Sequence, residues 1–128
     1  MIELLIGHLV GDYVLQNDWM AKTKSKVGFV GMVACTVHCI LYAAAVVAFV
    51  ILGGWRWHGS IGHSALLAFA VAFCTHYPID RISAAKYWMK FYGQTSTGPF
   101  AATIYVAVDN TFHLALMYLY FTFYGGWV

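Results

Sequence analysis

Ionisable side chains recur at a fixed spacing inside stretches of this chain that are otherwise apolar enough to lie in a bilayer. The pattern is His8-x-x-x-Asp12, then His38, then His76-x-x-x-Asp80, then Asp109-x-x-x-His113. Residues four apart share one helix face, a turn apart, so each His/Asp pair aims two ligand atoms at one point. Six histidines and four aspartates in 128 residues give about 0.4 such pairs by chance, against three observed. Groups of this kind are costly in lipid and face a bundle interior, where they pair with each other or with an ion. A fold for this chain must therefore bring these positions together.

The surrounding composition, 62% apolar and 9% charged, departs from the roughly 25% charged residues of soluble domains and indicates a membrane protein. Apolar runs extend from Ile2 to about Gln16, about Val27 to Leu52, about Ser60 to Asp80, and about Phe100 to Tyr124. Four spans fit 128 residues as one transmembrane domain, with no room for a separate soluble catalytic unit. The expected fold is an all-α polytopic membrane four-helix bundle. A net charge of +2, scattered over connections, excludes nucleic acid as the natural partner and leaves membrane lipids. The start Met1-Ile2-Glu3 has no basic region, and the first apolar run is expected to stay in the mature protein rather than leave as a signal.

Lys22, Lys24 and Lys26 follow the first run, and Arg81, Lys86 and Lys90 follow the third, whereas the middle connection carries only Arg56. The positive-inside bias then sets connections one and three in the cytoplasm and both termini outside, as in a multi-pass protein of a bacterial inner membrane. The glycines and tryptophans of Gly53 to Gly59 suit an outer turn, and Ser83 to Lys90 suits an interfacial helix between spans three and four. Cys35, Cys39 and Cys74 lie in apolar runs and read as small buried thiols; Cys35 and Cys39 beside His38 are the softer-ligand alternative.

The two halves repeat one another. His8-x-x-x-Asp12, Trp19-Met20-Ala21-Lys22 and Thr36-Val37-His38 match His76-x-x-x-Asp80, Trp88-Met89-Lys90 and Thr111-Phe112-His113. Each unit is a helical hairpin, and an axis along the membrane normal would bring both His/Asp pairs to one centre. Gly7 and Gly11 have the small-x-x-x-small spacing that lets helices approach closely.

Imidazole and carboxylate together suit a divalent metal, zinc or manganese, and a bound cation offsets the cost of burying aspartate. His8, Asp12, His38, His76, Asp80, Asp109 and His113 are the candidate ligands, more than one tetrahedral ion needs, so two metals or one metal with supporting groups are both open. Asp12 and Asp80 are the candidate catalytic carboxylates of a hydrolase acting on a lipid or phosphoester at the cytoplasmic side. Gln16, Arg81 and Lys86 are candidates to hold an anionic substrate; for Arg81, Lys86 and the lysines of connection one, topology alone is the plainer role. His58 and His63 read as loop residues, and Asn110 and Thr111 as either supports of the site or helix–helix contacts.

Two non-catalytic alternatives remain. One is an accessory subunit that packs against a larger membrane complex, with Tyr118, Tyr120, Phe121, Phe123 and Tyr124 suited to a partner interface and the polar core a metal-free hydrogen-bond network; a homodimer, which would thicken the thin shield of four spans around the polar centre, has no pattern to fix its interface. The other is an ion or proton transporter. The run His8-Leu9-Val10-Gly11-Asp12-Tyr13-Val14-Leu15-Gln16, with His38 and His76-Tyr77-Pro78-Ile79-Asp80-Arg81, resembles the small bacterial and phage membrane proteins grouped as domain of unknown function 3307. Distantly similar inner-membrane proteins are described as metal-dependent hydrolases, so the resemblance implies a metal and, more remotely, hydrolysis.

Overall fold

The structure, a computed structural model, describes residues 2–54, 60–94 and 97–124. The expected outer turn with Trp55, Arg56, Trp57 and His58 lies outside these residues. Among the described residues there are six α-helices: α1 (Ile2–Leu9), α2 (Asp18–Thr23), α3 (Phe29–Leu52), α4 (Ile61–Ile82), α5 (Ala84–Phe91) and α6 (Ala101–Tyr124). The chain is all-helical.

Each half runs helix, short helix, long helix. The short helices carry the repeated Trp-Met pairs in the same way: Met20 on α2 and Met89 on α5 are buried, while Trp19 and Trp88 are exposed. The repeated threonines also match, since Thr36 Oγ1 donates to Met32 O at 2.9 Å and Thr111 Oγ1 to Ala107 O at 2.7 Å. These hydroxyls satisfy themselves on their own helices and leave the histidine two positions on to face inward.

The first apolar run is not one continuous α-helix. Val10–Val14 forms a π-helical turn, in which Leu15 N–H reaches Val10 O at 3.0 Å. One extra residue is thereby carried at Asp12, a distortion that recurs at functional sites. Asn17 caps α2 by accepting the Met20 N–H at 2.9 Å.

The core lies where α3 packs between α1 and α4, with Leu4, Val46, Val50 and Val71 filled in by Ala43, Ala68 and Ala72. Small residues permit that closeness. A Cβ on Gly7 would stand 2.9 Å from Val46 Cα, and one on Gly11 would stand 2.6 Å from the Tyr42 ring. α6 packs on α4 through an inward row one turn apart, His113, Met117 and Phe121. Phe121 is thus a core residue rather than part of an aromatic docking face. α1 and α6 meet only sparsely.

α4 ends at Ser83, whose left-handed backbone (φ 54, ψ 57) turns the chain into α5. Inside α4, Pro78 lacks the N–H that would bond the Cys74 carbonyl, just before Asp80. Cys74 is exposed rather than buried, whereas Cys35 and Cys39 are buried with their sulfurs 4.0 Å apart. Among the described residues one helix, α3, is both long and apolar enough to cross a membrane. At about 1.5 Å per residue α4 and α6, of 22 and 24 residues, reach about 33 and 36 Å, but their polar residues lower their hydropathy.

Candidate metal centre

All seven His/Asp candidates meet where the π-turn, α3, α4 and α6 converge. His8, His38, His76, Asp80 and His113 are buried, and Asp12 nearly so. Four atoms form the tightest group: Asp12 Oδ1, His38 Nε2, His76 Nε2 and Asp80 Oδ2. The two imidazole nitrogens are 2.9 Å apart. Asp80 Oδ2 lies 3.0 Å from His38 Nε2 and 3.1 Å from His76 Nε2, and Asp12 Oδ1 lies 3.2 and 3.3 Å from the same nitrogens.

Hydrogen bonding alone does not account for this packing. Each Nε2 carries at most one proton, yet at least three heavy atoms crowd each of them. Asp12 Oδ1 accepts no hydrogen bond of sound geometry, and Asp80 Oδ2 is met by the Lys24 ammonium alone, at 2.7 Å. Ligands about 2.0–2.1 Å from a tetrahedral ion stand about 3.3 Å from one another, and His38 Nε2, His76 Nε2 and Asp80 Oδ2 are spaced close to that. The donor set fits a divalent cation.

A second group adjoins the first. Asp80 Oδ1 is 3.4 Å from His113 Nε2, which is 3.5 Å from Asp109 Oδ2, and neither ring nitrogen of His113 has a hydrogen-bond partner. Asp80 thus faces His38 and His76 through one oxygen and His113 through the other. On the opposite side His8 Nδ1 is 3.5 Å from Asp12 Oδ2. Its ring is held twice, by the Tyr42 hydroxyl at Nδ1 (3.0 Å) and by Asn110 Oδ1 at Nε2 (2.9 Å). His8 is therefore the histidine most fully engaged by protein, a support for Asp12 as much as a ligand.

Two residues absent from the expected site complete it. Tyr42, fully buried, stacks on His76 with ring centroids 3.7 Å apart, and His76 stacks in turn on His113 at 3.8 Å. Its position one turn past His38 was the available signal. Lys24, expected to mark topology only, turns inward: its Nζ lies 2.7 Å from Asp80 Oδ2, 3.4 Å from His38 Nε2, and donates to Gln16 Oε1 at 2.7 Å. Burial works against this ammonium, but Asp80, with Asp12 and Asp109, outweighs it and holds the pKa above the ordinary lysine value. No local pattern distinguishes Lys24 from its neighbours.

The other candidates divide. Gln16 lines a hollow of about 180 Å³ with Asp12, Lys24, Asp109 and Asn110, beside the cluster. Lys86 is exposed and borders a different hollow with Met89 and Tyr105. Among the described contacts none joins Arg81 to the cluster. The cysteines also stand apart, since Cys35 Sγ points at Cys39 and the Tyr77 carbonyl and no thiol belongs to a ligand grouping. His63 sits at the exposed start of α4, where its N–H is capped by Ser60.

Fold and site together define a class: a small all-helical protein whose core is a buried His/Asp cluster with the spacing of metal ligands. The chain belongs to the family described as protein of unknown function (DUF3307), which it matches over residues 1–126. No curated protein and no solved structure matches it.

Proposed function

We propose that this protein is a polytopic bacterial inner-membrane protein whose His/Asp centre binds divalent metal, zinc or manganese, and hydrolyses a phosphoester at the cytoplasmic side. The observation that carries the metal is the convergence of Asp12 Oδ1 and Asp80 Oδ2, each 3.0–3.3 Å from His38 Nε2 and His76 Nε2, which are themselves 2.9 Å apart. The membrane reading is supported by the outward faces of the long helices, where Val30, Ile40, Leu66, Leu119 and Phe123 are exposed. Soluble monomers rarely leave apolar surface on every side. In this reading α2 and α5, with their lysines, lie at the cytoplasmic interface and both termini lie outside.

Asp80 favours two ions over one, since its oxygens face different histidines. Bound metal supplies Lewis acidity toward water and a phosphoryl oxygen. The protein's own groups do the rest. Asp109, partly exposed and on the hollow, is placed to take a proton from attacking water; Lys24 offers positive charge to the substrate's phosphoryl oxygens; Gln16 orients Lys24. Tyr42 and Asn110 keep the imidazoles aimed inward.

The test is turnover of bis(p-nitrophenyl) phosphate and phosphatidic acid by purified protein supplied with zinc or manganese, compared with His76→Ala. Metal-dependent turnover lost in the variant supports the hydrolase. A metal-loaded protein that turns over neither and co-purifies with a larger membrane complex supports an accessory subunit instead.

A further inference from the structure

The α1–α6 edge holds two hollows end to end. The polar one, about 180 Å³, opens onto Asp12, Lys24 and Asp109. The other, about 600 Å³, is apolar, with Leu4 and Met117 as its buried floor and Ile2, Leu5, Leu114 and Tyr118 around them. The same two stretches of chain wall both. Positions 105–110 of α6 and 12–16 of the first run border the polar hollow; positions 111–118 and 2–5 border the apolar one. Asn110 stands at the junction and crosses the seam, its Oδ1 on His8 Nε2 at 2.9 Å and its Nδ2 donating to the Tyr13 hydroxyl at 2.6 Å.

We propose that this seam is the binding slot for an amphiphilic substrate: the phosphate of a membrane phospholipid lies at Lys24 and the metal centre, and one acyl chain lies along Leu4, Leu5, Leu114 and Tyr118. The inference rests on the metal-hydrolase reading and names its substrate class. Three observations favour a lipid over a soluble phosphoester or a protein segment. The charged end holds a half-buried ammonium beside the candidate ligands, which complements an anionic head group. The apolar end continues away from it for about 10 Å along α6, as positions 111–118 rise about 1.5 Å each, and a soluble phosphoester would leave it empty. The polar end is too small for a side chain–bearing helix. With α2 and α5 at the cytoplasmic interface, the slot also runs as an inner-leaflet lipid does, head at the surface and chain toward the bilayer centre.

The experiment uses the full chain in nanodiscs and in detergent, with hexanoyl, decanoyl and myristoyl lysophosphatidic acids as probes and glycerol 3-phosphate, the same phosphomonoester without an acyl chain, as the chainless control. Ala115→Trp fills the apolar hollow from its exposed border and touches no candidate ligand. The slot predicts KM falling with chain length in the wild type, and a rise of roughly tenfold for the longer chains in Ala115→Trp. Turnover of the chainless control and metal content stay unchanged. Turnover indifferent to chain length and to Ala115→Trp, with the control still hydrolysed, overturns the slot and leaves the hydrolase standing. If no phosphoester is turned over, the hydrolase reading fails, and binding of myristoyl lysophosphatidic acid judges the slot. One molecule bound per wild-type chain and none in Ala115→Trp supports it; no binding in the wild type, or a dimer that Ala115→Trp splits, overturns it.

Discussion

The Tyr42 ring lies flat against His76, centroids 3.7 Å apart and planes 27° from parallel, while its hydroxyl reaches across to His8. One buried side chain from α3 thus touches a histidine from each half of the molecule. Tyr42→Phe keeps the stacking and removes the hydroxyl, so the protein stays folded, losing about 1 kcal/mol. Metal affinity weakens about tenfold because His8 loses its Nδ1 partner. Metal titration followed by thermal unfolding in detergent checks both parts; unchanged affinity in Tyr42→Phe would contradict the supporting role.

Lys24 makes a prediction of opposite sign for metal and substrate. Its ammonium stands 2.7 Å from Asp80 Oδ2 and competes with a cation there. Lys24→Met therefore binds metal at least as tightly as the wild type, yet its KM for an anionic phosphoester rises about tenfold. A variant that loses metal would show that Lys24 holds Asp80 in place rather than meeting substrate.

Alkaline pH isolates the same ion pair. The folded pKa of Lys24 is raised, so the stability it contributes is fully present below the ordinary lysine pKa and is lost as pH rises through the folded value. Unfolding measured across the alkaline range should decline more steeply for the wild type than for Lys24→Met. Parallel alkaline limbs would rule out that contribution.

Close approach between α1 and α3 depends on glycine. Gly7→Ala places a methyl 2.9 Å from Val46 Cα, a backbone atom that cannot swing aside. It should cost about 1–3 kcal/mol in chemical or thermal unfolding. Gly62→Ala is the control, because its nearest neighbour would be 3.9 Å away. Equal stabilities for the two variants would contradict the packing.

Much of this site was legible in the one-turn His/Asp spacing, because a helix turns such pairs onto one face whatever surrounds them. Bounds of the long helices followed from apolar runs for the same local reason. Lys24 was not legible: its inward turn depends on Asp80, more than fifty residues away, and a lysine between two spans has an ordinary topological role. The π-turn at Asp12 was equally hidden, since too few helical residues follow it to reveal the change of face that one extra residue makes. Lys86, close to Asp80 in sequence, borders another hollow because the left-handed turn at Ser83 starts a new helix between them.

Metal content of the purified protein tests the central claim most directly. Elemental analysis of the wild type should give one to two zinc or manganese ions per chain, with Asp80→Ala near zero because Asp80 faces both ligand groups. His113→Ala should keep the ion held by Asp12, His38 and His76, and His63→Ala should match the wild type. A folded wild-type protein that holds no divalent metal after incubation with zinc and manganese would contradict the account.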